Sequence, residues 1–140
     1  VLVASEQAIK DYGLTPLARF VSFSVAGVRP EVMGIGPIAA IPKALRQAGL
    51  SQDQLDWIEL NEAFAAQSLA CVDAWGIDPA IVNRHGGAIA IGHPLGASGT
   101  RILGTLAKSL QASGARWGVA AICIGVGQGL AVVLENVNAK

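Results

Sequence analysis

The sequence predicts a layered α/β fold built around a mixed, five-stranded β-sheet. Strand-like and helix-like segments alternate along the chain in the order βαβαβαββ. The last two strand-like segments are apolar on both faces, which is typical of strands inside a layered sheet. Hydrophobic residues make up 52% of the 140 residues and charged residues only 14%, a balance that excludes intrinsic disorder. We therefore expect one domain over residues 1–140.

The first half of the chain predicts a strand, a helix and a second strand. In residues 19–26 apolar side chains alternate with serines, which is the period of a strand. Residues 38–48 have a helical pattern that ends at Gly49, a common C-cap residue. Because proline disrupts a helix interior, we expect Pro42 either to begin this helix or to kink it. A turn then leads into a short strand at residues 57–60.

The second half of the chain predicts two helices and three strands. The pattern of residues 62–75 is helical and apolar nearly all round, so we expect this helix to be buried on most sides. Residues 81–91 predict a short strand that enters a glycine-rich turn, and residues 97–112 predict the next helix. Two apolar strands, at 117–124 and 130–137, close the fold and are joined by a glycine-rich loop.

Charge and hydropathy argue against two classes of partner. Ten basic and ten acidic residues leave no net charge, whereas a protein that binds the nucleic-acid backbone usually carries a basic excess. The longest apolar runs, such as residues 117–126, are much shorter than the ~20 residues of a membrane-spanning helix. We therefore expect neither nucleic acid nor a membrane as a partner. The high apolar content favours a second domain or subunit that covers part of the surface.

The cysteine content and the first residues bear on location. Cys71 and Cys123 are too few for a disulfide framework, and residues 1–12 lack the pattern of a secretory signal. We therefore expect a reducing compartment, either the cytoplasm or an organelle matrix. The chain begins at Val1 rather than at methionine, which favours a fragment or a processed chain.

His93 is the first candidate for chemistry because glycines crowd the segment around it. Such density costs backbone entropy and indicates tight turns or a close approach of the backbone to a ligand. His93 also precedes a predicted helix, whose N-terminal dipole favours a neutral imidazole that can act as a base near pH 7. The alternative is a histidine that only packs or caps in the turn. The glycines around it are Gly86, Gly87, Gly92, Gly96 and Gly99.

Cys123 is the second candidate because it ends a predicted buried strand just before the glycine-rich loop 125–129. Backbone N–H groups of such a loop, including that of Gly125, can form an oxyanion hole. A thiol beside a site for negative charge can donate or accept a proton. The alternative is an inert core cysteine, which is our interpretation of Cys71 inside the apolar helix.

Asn61 lies at a predicted junction between a strand and a helix. Its side chain either caps that helix or holds a water molecule or a carbonyl oxygen. The glycines match neither a dinucleotide-binding motif nor a Walker A motif, and Ser98 is not in a nucleophile elbow. Because no histidine or cysteine pair has the spacing of zinc ligands, we expect no metal site.

Three segments together resemble the signature motifs of the thiolase family, which comprises acetyl-CoA acetyltransferases and 3-ketoacyl-CoA thiolases. They are residues 61–65 (NEAFA), 86–94 (GGAIAIGHP) and 123–129 (CIGVGQG), and their order and spacing agree with the family. The resemblance covers the whole chain and corresponds to the C-terminal domain only. It implies the thiolase fold, with two such domains related by pseudo-twofold symmetry, a loop domain inserted in the first, and assembly into dimers or tetramers.

The resemblance also implies a role for each candidate residue. The acyl-carrying cysteine would lie in the N-terminal domain, and His93 would be the base that activates it. Cys123 would move the proton on the α-carbon of the second acyl group. Asn61 would hold a water molecule that, with His93, stabilises the enolate oxygen. The N–H of Gly125 would bind the oxyanion of the tetrahedral intermediate.

The implied reaction is the reversible Claisen condensation or thiolytic cleavage of 3-ketoacyl-CoA, for which this chain alone would be inactive. Met33, Ala63 and Phe64 would line the channel for the acyl chain and pantetheine. CoA thioesters would be substrates, so the resemblance implies no metal or redox cofactor. The N-terminal thiolase domain would be the partner that completes the site.

Two positions depart from the family pattern, and two other functions stay open. Val126 stands where the family usually has glycine, so its side chain either narrows the site or changes the loop. His85 stands where the family commonly has asparagine; we interpret it as a structural replacement, the alternative being a different contact with residues that support the site. One alternative function is a non-catalytic assembly or acyl-CoA-binding module. The other is a ketoacyl-synthase type of condensing enzyme, against which the Cys123 loop and the Asn61 motif argue.

Overall fold

A computed structural model describes residues 1–139. The helices and strands follow one another with short 3₁₀ turns between some of them. The elements are α1 (Glu6–Tyr12), β1 (Arg19–Gly27), α2 (Gly36–Ala48), β2 (Trp57–Leu60), α3 (Ala65–Trp75), α4 (Ala88–Ile91), α5 (Ser98–Ser113), β3 (Trp117–Ile124) and β4 (Gln128–Glu135).

The sheet is mixed, as the sequence predicts. Within residues 1–139 four strands lie in the order β1-β4-β3-β2. β4 is antiparallel to both of its neighbours, whereas β2 and β3 are parallel, with Leu60 opposite Ala121. Because β2 and β3 are parallel, their carboxyl ends lie at the same edge of the sheet, which is where ligands bind in layered α/β folds.

Helices cover both faces of the sheet and bury two apolar clusters. One cluster joins α2 and α3 to the sheet through residues such as Ile41, Cys71 and Val119. The other joins α5 to the opposite face through residues such as Leu106 and Val132. The layered α/β architecture is thus confirmed.

The prediction of a fifth strand at residues 81–91 is wrong. That segment contains the end of a 3₁₀ turn, a loop and the short helix α4, and only Val82 forms a β-bridge, with Ile58. The reason is Asn83, whose side chain donates to Leu60 O and accepts from Leu60 N, both at 2.8 Å. Asn83 therefore takes the backbone groups with which a further strand would pair, and its φ of 46° turns the chain away.

The predicted helices form with shifted ends. α2 begins at Gly36 and continues through Pro42, so that proline does not begin the helix. It ends at Gly49, as expected, with φ at 70°. The last strand begins at Gln128 and ends at Glu135, two residues earlier at each end than expected.

The expected burial of the apolar helix is wrong for this chain alone. α3 begins at Ala65 rather than at residue 62, and its buried residues are Gln67 and Cys71. Leu69 remains 64% exposed because no element among the described residues covers that side of the helix. Within residues 1–139 no helix is both long and apolar enough to cross a membrane.

Strand β1 also presents apolar side chains to solvent. Ser22 and Ser24 are the buried side chains, and their hydroxyls donate to carbonyl oxygens of α2 at 2.8 and 2.6 Å. Phe20 and Phe23 are each 56% exposed, with ring centroids 6.2 Å apart. This edge strand therefore buries its serine side chains and exposes its phenylalanine side chains.

Candidate active site

The carboxyl ends of β2 and β3 bring two sequence motifs to one edge of the sheet. Asn61 directly follows β2, and its backbone N–H donates to Ala121 O at 2.9 Å. Cys123 is the next-to-last residue of β3, only two positions beyond Ala121. The parallel pairing of these two strands therefore places Asn61 and the Cys123 loop at the same edge.

Asn61 and His93 form the most specific contact at this edge. Asn61 is 1% exposed, and its Nδ2 lies 3.2 Å from Nε2 of the half-buried His93. The alternative role of Asn61 as a helix cap is wrong, because Phe64 occupies the N-cap position of α3. The other amide atom, Oδ1, is buried and has no hydrogen-bond partner within residues 1–139. Such a buried acceptor is suited to a donor from a bound water molecule or ligand.

His93 is held from its other side by the start of α5. Its Nδ1 lies 2.6 Å from the hydroxyl of Ser98, which donates in turn to Pro94 O at 3.1 Å. The backbone carbonyl of Gly92 accepts a hydrogen bond from Arg101 at 2.6 Å. Contacts at both ring nitrogens therefore fix the position of the imidazole.

Glu62 ties the Asn61 turn to the segment that carries His93. Its carboxylate accepts from Asn83 Nδ2 at 3.1 Å and from the backbone N–H of Ile89 at 3.0 Å. A Cβ atom on Gly87 would lie only 2.4 Å from the carboxyl carbon of Glu62. Gly87 is therefore required for the close approach of the chain to this carboxylate.

His85, which departs from the family pattern, lies away from this contact. Its ring centroid is 5.3 Å from that of Trp57, and Trp57 Nε1 donates to Glu59 Oε1 at 2.9 Å. Burial raises the pKa of the Glu59 carboxyl, against the lowering effect of the Trp57 hydrogen bond. His85 and Glu59 also line a cavity of about 170 Å³ together with Asn61. His85 thus packs on Trp57 and borders the same cavity as Asn61.

Cys123 is buried, with 6% of its surface exposed. Burial raises the pKa of its thiol, so the protonated form prevails at neutral pH. Within residues 1–139 no hydrogen bond joins Cys123 to Asn61 or His93. Cys71 is fully buried, and its Sγ contacts Gly34 O at 3.6 Å, which confirms it as a core cysteine.

The three glycines of the loop after Cys123 differ in how closely other backbone atoms approach them. A Cβ atom on Gly127 would lie 2.2 Å from Val28 O, and one on Gly129 would lie 2.1 Å from the backbone of Gly36. These two positions therefore require glycine for close backbone packing. Gly125 is exposed, and a Cβ atom there would meet nothing within 4 Å. Gly125 is thus the one of the three at which close backbone packing does not require glycine.

Val126 adopts a backbone conformation that favours glycine. Its φ is 68°, which is uncommon for a β-branched residue, and its side chain is 84% exposed. We expected Val126 either to narrow the site or to change the loop. Its side chain lies in solvent, and its backbone has the left-handed conformation that glycine adopts readily.

The residues expected to line a substrate channel lie in two segments next to this edge. Met33 is half-buried in the 3₁₀ turn before α2. The first residue of α2, Gly36, packs against Gly129 at the end of the Cys123 loop. Ala63 and Phe64 follow Asn61, and Phe64 is 61% exposed. Within residues 1–139 no group of three or more His, Cys, Asp or Glu side chains could hold a metal ion.

A comparison with known protein families shows which family this chain belongs to. The family model described as "Thiolase, C-terminal domain" matches residues 14–136. The chain belongs to the thiolase family. The matched part is the C-terminal domain, so the resemblance carried by the three sequence motifs is confirmed.

Relatives and solved structures agree with this assignment. The chain is 56% identical to acetyl-CoA acetyltransferase of Paracoccus denitrificans, over 97% of this chain and 35% of that protein. It is 50% identical to beta-ketoadipyl-CoA thiolase of Acinetobacter baylyi, over 98% of this chain and 35% of that protein. A crystal structure of human mitochondrial 3-ketoacyl-CoA thiolase in complex with CoA superposes with a TM-score of 0.93 at 48% identity, over 96% of this chain and 34% of that one. The chain therefore spans about a third of the length of the relatives it matches.

The thiolase domain brings some predicted site residues together and leaves others apart. Asn61 and His93 are in contact, whereas Cys123 and Gly125 share their edge of the sheet without a hydrogen bond to either. Sequence reasoning missed Glu62, Asn83 and Ser98. The signal for Glu62 was its position directly after Asn61, and the signal for Ser98 was a serine at the start of a helix five residues after His93.

Proposed function

We propose that this chain is the C-terminal part of a thiolase that catalyses the reversible Claisen condensation and thiolytic cleavage of 3-ketoacyl-CoA. The observation that carries the proposal is the Asn61–His93 contact at the carboxyl edge of the sheet, inside the region that matches the family. The presence of CoA in the human relative supports a CoA thioester as substrate. An acyltransferase of this kind joins two acetyl-CoA molecules into acetoacetyl-CoA and CoA, or reverses that reaction.

Both directions need a stabilised enolate oxygen, and Asn61 is suited to this. Its buried Oδ1 would accept one hydrogen of a water molecule, whose second hydrogen would point to the enolate oxygen. Nε2 of His93 lies 3.2 Å from the other amide atom, Nδ2, and would share that task as an N–H donor once it has taken a proton. The unprotonated nitrogen of His93 would also take the proton of the acyl-carrying thiol.

Cys123 would move the proton on the α-carbon. In cleavage the bond between the α- and β-carbons breaks, and the enolate takes a proton from the Cys123 thiol. The resulting Cys123 thiolate takes the proton of the CoA thiol, whose sulfur attacks the acyl group on the nucleophilic cysteine. The nucleophilic thiolate then leaves and takes back the proton that His93 received from it. Burial, which keeps the Cys123 thiol protonated at rest, supports the role of donor in cleavage.

The acyl-carrying nucleophile would come from the part of the thiolase outside these residues. Cys71 is enclosed in the apolar core, and Cys123 has the proton-transfer role. The isolated chain is therefore expected to be inactive. The reaction transfers acyl groups and protons but no electrons, so we propose no cofactor besides the CoA substrates.

The exposed apolar side chains support a partner that covers this domain. Phe20, Phe23 and Leu69 are each more than half exposed although they belong to regular elements. An N-terminal thiolase domain and a second subunit, in a dimer or tetramer, would bury such a surface. We place the enzyme in the cytoplasm or an organelle matrix.

The test is thiolysis of acetoacetyl-CoA by the full-length protein that contains this chain. Replacement His93→Ala is expected to lower kcat/KM by roughly 10²–10⁴, the range for loss of a general base. The matched control is His85→Ala, since His85 packs on Trp57 outside the Asn61–His93 contact. Near-normal turnover of the His93 variant, or an equal loss in both variants, would contradict the proposal.

A further inference from the structure

Ser98 is a fully buried polar residue at the first position of α5, and the proposed reaction gives it no role. Its hydroxyl lies 2.6 Å from Nδ1 of His93 and donates to Pro94 O at 3.1 Å. Both contacts are within hydrogen-bond distance, and the hydroxyl is shielded from bulk water. Ser98 is therefore in a position to control the imidazole.

The direction of these hydrogen bonds follows from the chemistry of the partners. The carbonyl oxygen of Pro94 can only accept; it lies 3.1 Å from the Ser98 hydroxyl and also accepts the backbone N–H groups of Ala97 and Ser98, both at 2.9 Å. When the hydroxyl donates to Pro94 O, its oxygen accepts from His93, which places a hydrogen on Nδ1. In the neutral ring Nε2 is left with its lone pair, and it lies 3.2 Å from the donor Nδ2 of Asn61. This arrangement gives each of the contacts between Pro94, Ser98, His93 and Asn61 one donor and one acceptor, with Nδ2 of Asn61 as the donor to Nε2.

We propose that Ser98 is a positioning residue that fixes His93 in the Nδ1–H tautomer and so keeps Nε2 free to act as a base. Free histidine in water favours the opposite tautomer, with the hydrogen on Nε2. Without an acceptor beside Nδ1, the nitrogen that faces Asn61 would therefore carry a hydrogen for much of the time and could not take a proton. Catalytic histidines are commonly oriented by a carboxylate or backbone carbonyl at Nδ1. In this protein the backbone carbonyl of Pro94 would orient His93 indirectly, by accepting the hydrogen of the Ser98 hydroxyl that contacts Nδ1.

The kinetic consequence of this inference rests on the proposed function, whereas the tautomer itself does not. The primary measurement is therefore ¹⁵N solid-state NMR of the full-length protein labelled at histidine, with the His93 signals identified by their loss in His93→Gln. We expect a protonated Nδ1 and an unprotonated Nε2 in the neutral wild-type ring. In Ser98→Ala we expect a substantial population with the hydrogen on Nε2.

Two further variants separate positioning from packing. Ser98→Thr keeps the hydroxyl and is expected to keep the Nδ1–H tautomer and most of the activity. Ser109→Ala makes the same deletion at another buried position of α5, distant in sequence from His93, and is expected to change neither. In a serine-protease triad, imposing the wrong tautomer costs about 10⁴ in kcat. Because Ser98→Ala frees the ring without imposing a tautomer, we expect a smaller loss in kcat, roughly 10- to 100-fold, with KM little changed.

The outcomes distinguish this inference from the proposed function. If the wild-type ring carries its hydrogen on Nε2, or if Ser98→Ala leaves the tautomer unchanged, the positioning role is wrong even when thiolysis proceeds. If the tautomer behaves as expected but the wild-type protein cleaves no 3-ketoacyl-CoA, the proposed function is wrong and the positioning role stands. Should Ser98→Ala fail to fold, the wild-type and Ser98→Thr spectra still test the tautomer.

Discussion

Two carboxylates at the end of the sheet where β3 begins are paired, whereas a buried amide oxygen at the end where β3 finishes has no partner among residues 1–139. At the first, Glu135 accepts hydrogen bonds from Arg19 and Arg116, and Asp56 accepts the backbone N–H groups of Arg116 and Trp117. At the second, Asn61 Oδ1 is buried without a partner among residues 1–139, and Val126 has a left-handed backbone conformation.

The first end of the sheet therefore has a structural role, and the second carries the candidate site. Paired groups stabilise the fold, whereas an unpaired acceptor and an unfavourable φ cost free energy and persist where a site requires them. The candidate site therefore depends on stability supplied elsewhere, both by the paired end and by the close backbone packing beneath the Cys123 loop. Three substitutions test how that stability is divided.

The largest effect is expected from Gly129→Ala, which attacks the backbone packing beneath the site. The added Cβ atom would lie 2.1 Å from the backbone of Gly36, which cannot move aside as a side chain could. We expect a loss of about 3 kcal/mol or more, or failure to fold. The measurement is soluble yield and the urea-unfolding midpoint of the full-length protein.

Gly125→Ala is the matched control for this substitution. A Cβ atom there meets nothing within 4 Å, so the expected change in stability is within about 0.5 kcal/mol. Equal unfolding midpoints for the two variants would show that the contact of Gly129 with Gly36 does not support the loop.

A smaller effect is expected at the paired end, from Glu135→Gln. Burial alone would raise the pKa of Glu135, but the hydrogen bonds from Arg19 and Arg116 outweigh it and hold this pKa below its ordinary range. The unfolded chain therefore binds a proton at a higher pH than the folded one. The stability from this group is present above the unfolded pKa and is lost as the pH falls through the folded value.

We expect Glu135→Gln to cost about 2 kcal/mol at pH 7, because hydrogen bonds to a charged group are lost while the exposed arginines stay solvated. The difference from wild type should shrink as the pH falls below about 4.3, where the carboxylate of the unfolded wild-type chain binds a proton, and it should vanish once the pH passes below the lowered pKa of the folded protein. Unfolding midpoints measured across this range test both points. A difference independent of pH would mean that the charge of Glu135 does not stabilise the fold.

Sequence patterns predict this molecule well where a local period or motif decides the structure. The alternation in β1, the apolar strands β3 and β4, and the motifs around Asn61 and His93 are all local features. The missing fifth strand could not be predicted, because it depends on the Asn83 side chain meeting the backbone of Leu60. The role of Ser98 likewise depends on how the start of α5 meets the His93 turn. The burial of α3 was predicted wrongly because the described elements leave the side of the helix that carries Leu69 uncovered.

The smallest effect is expected from Val126→Gly, which relieves strain at the functional end. At a φ of 68° a β-branched residue pays a penalty that glycine avoids, while glycine adds freedom to the unfolded chain. Because the Val126 side chain is 84% exposed, little packing is lost, and we expect a net gain of about 1 kcal/mol. The control is Val137→Gly, an exposed valine outside the helices and strands with no positive φ, for which we expect no gain. A rise in the unfolding midpoint for Val126→Gly alone would show that the site end of the sheet stores strain. No rise in that midpoint would mean that contacts of Val126 beyond these residues offset the cost of its backbone conformation.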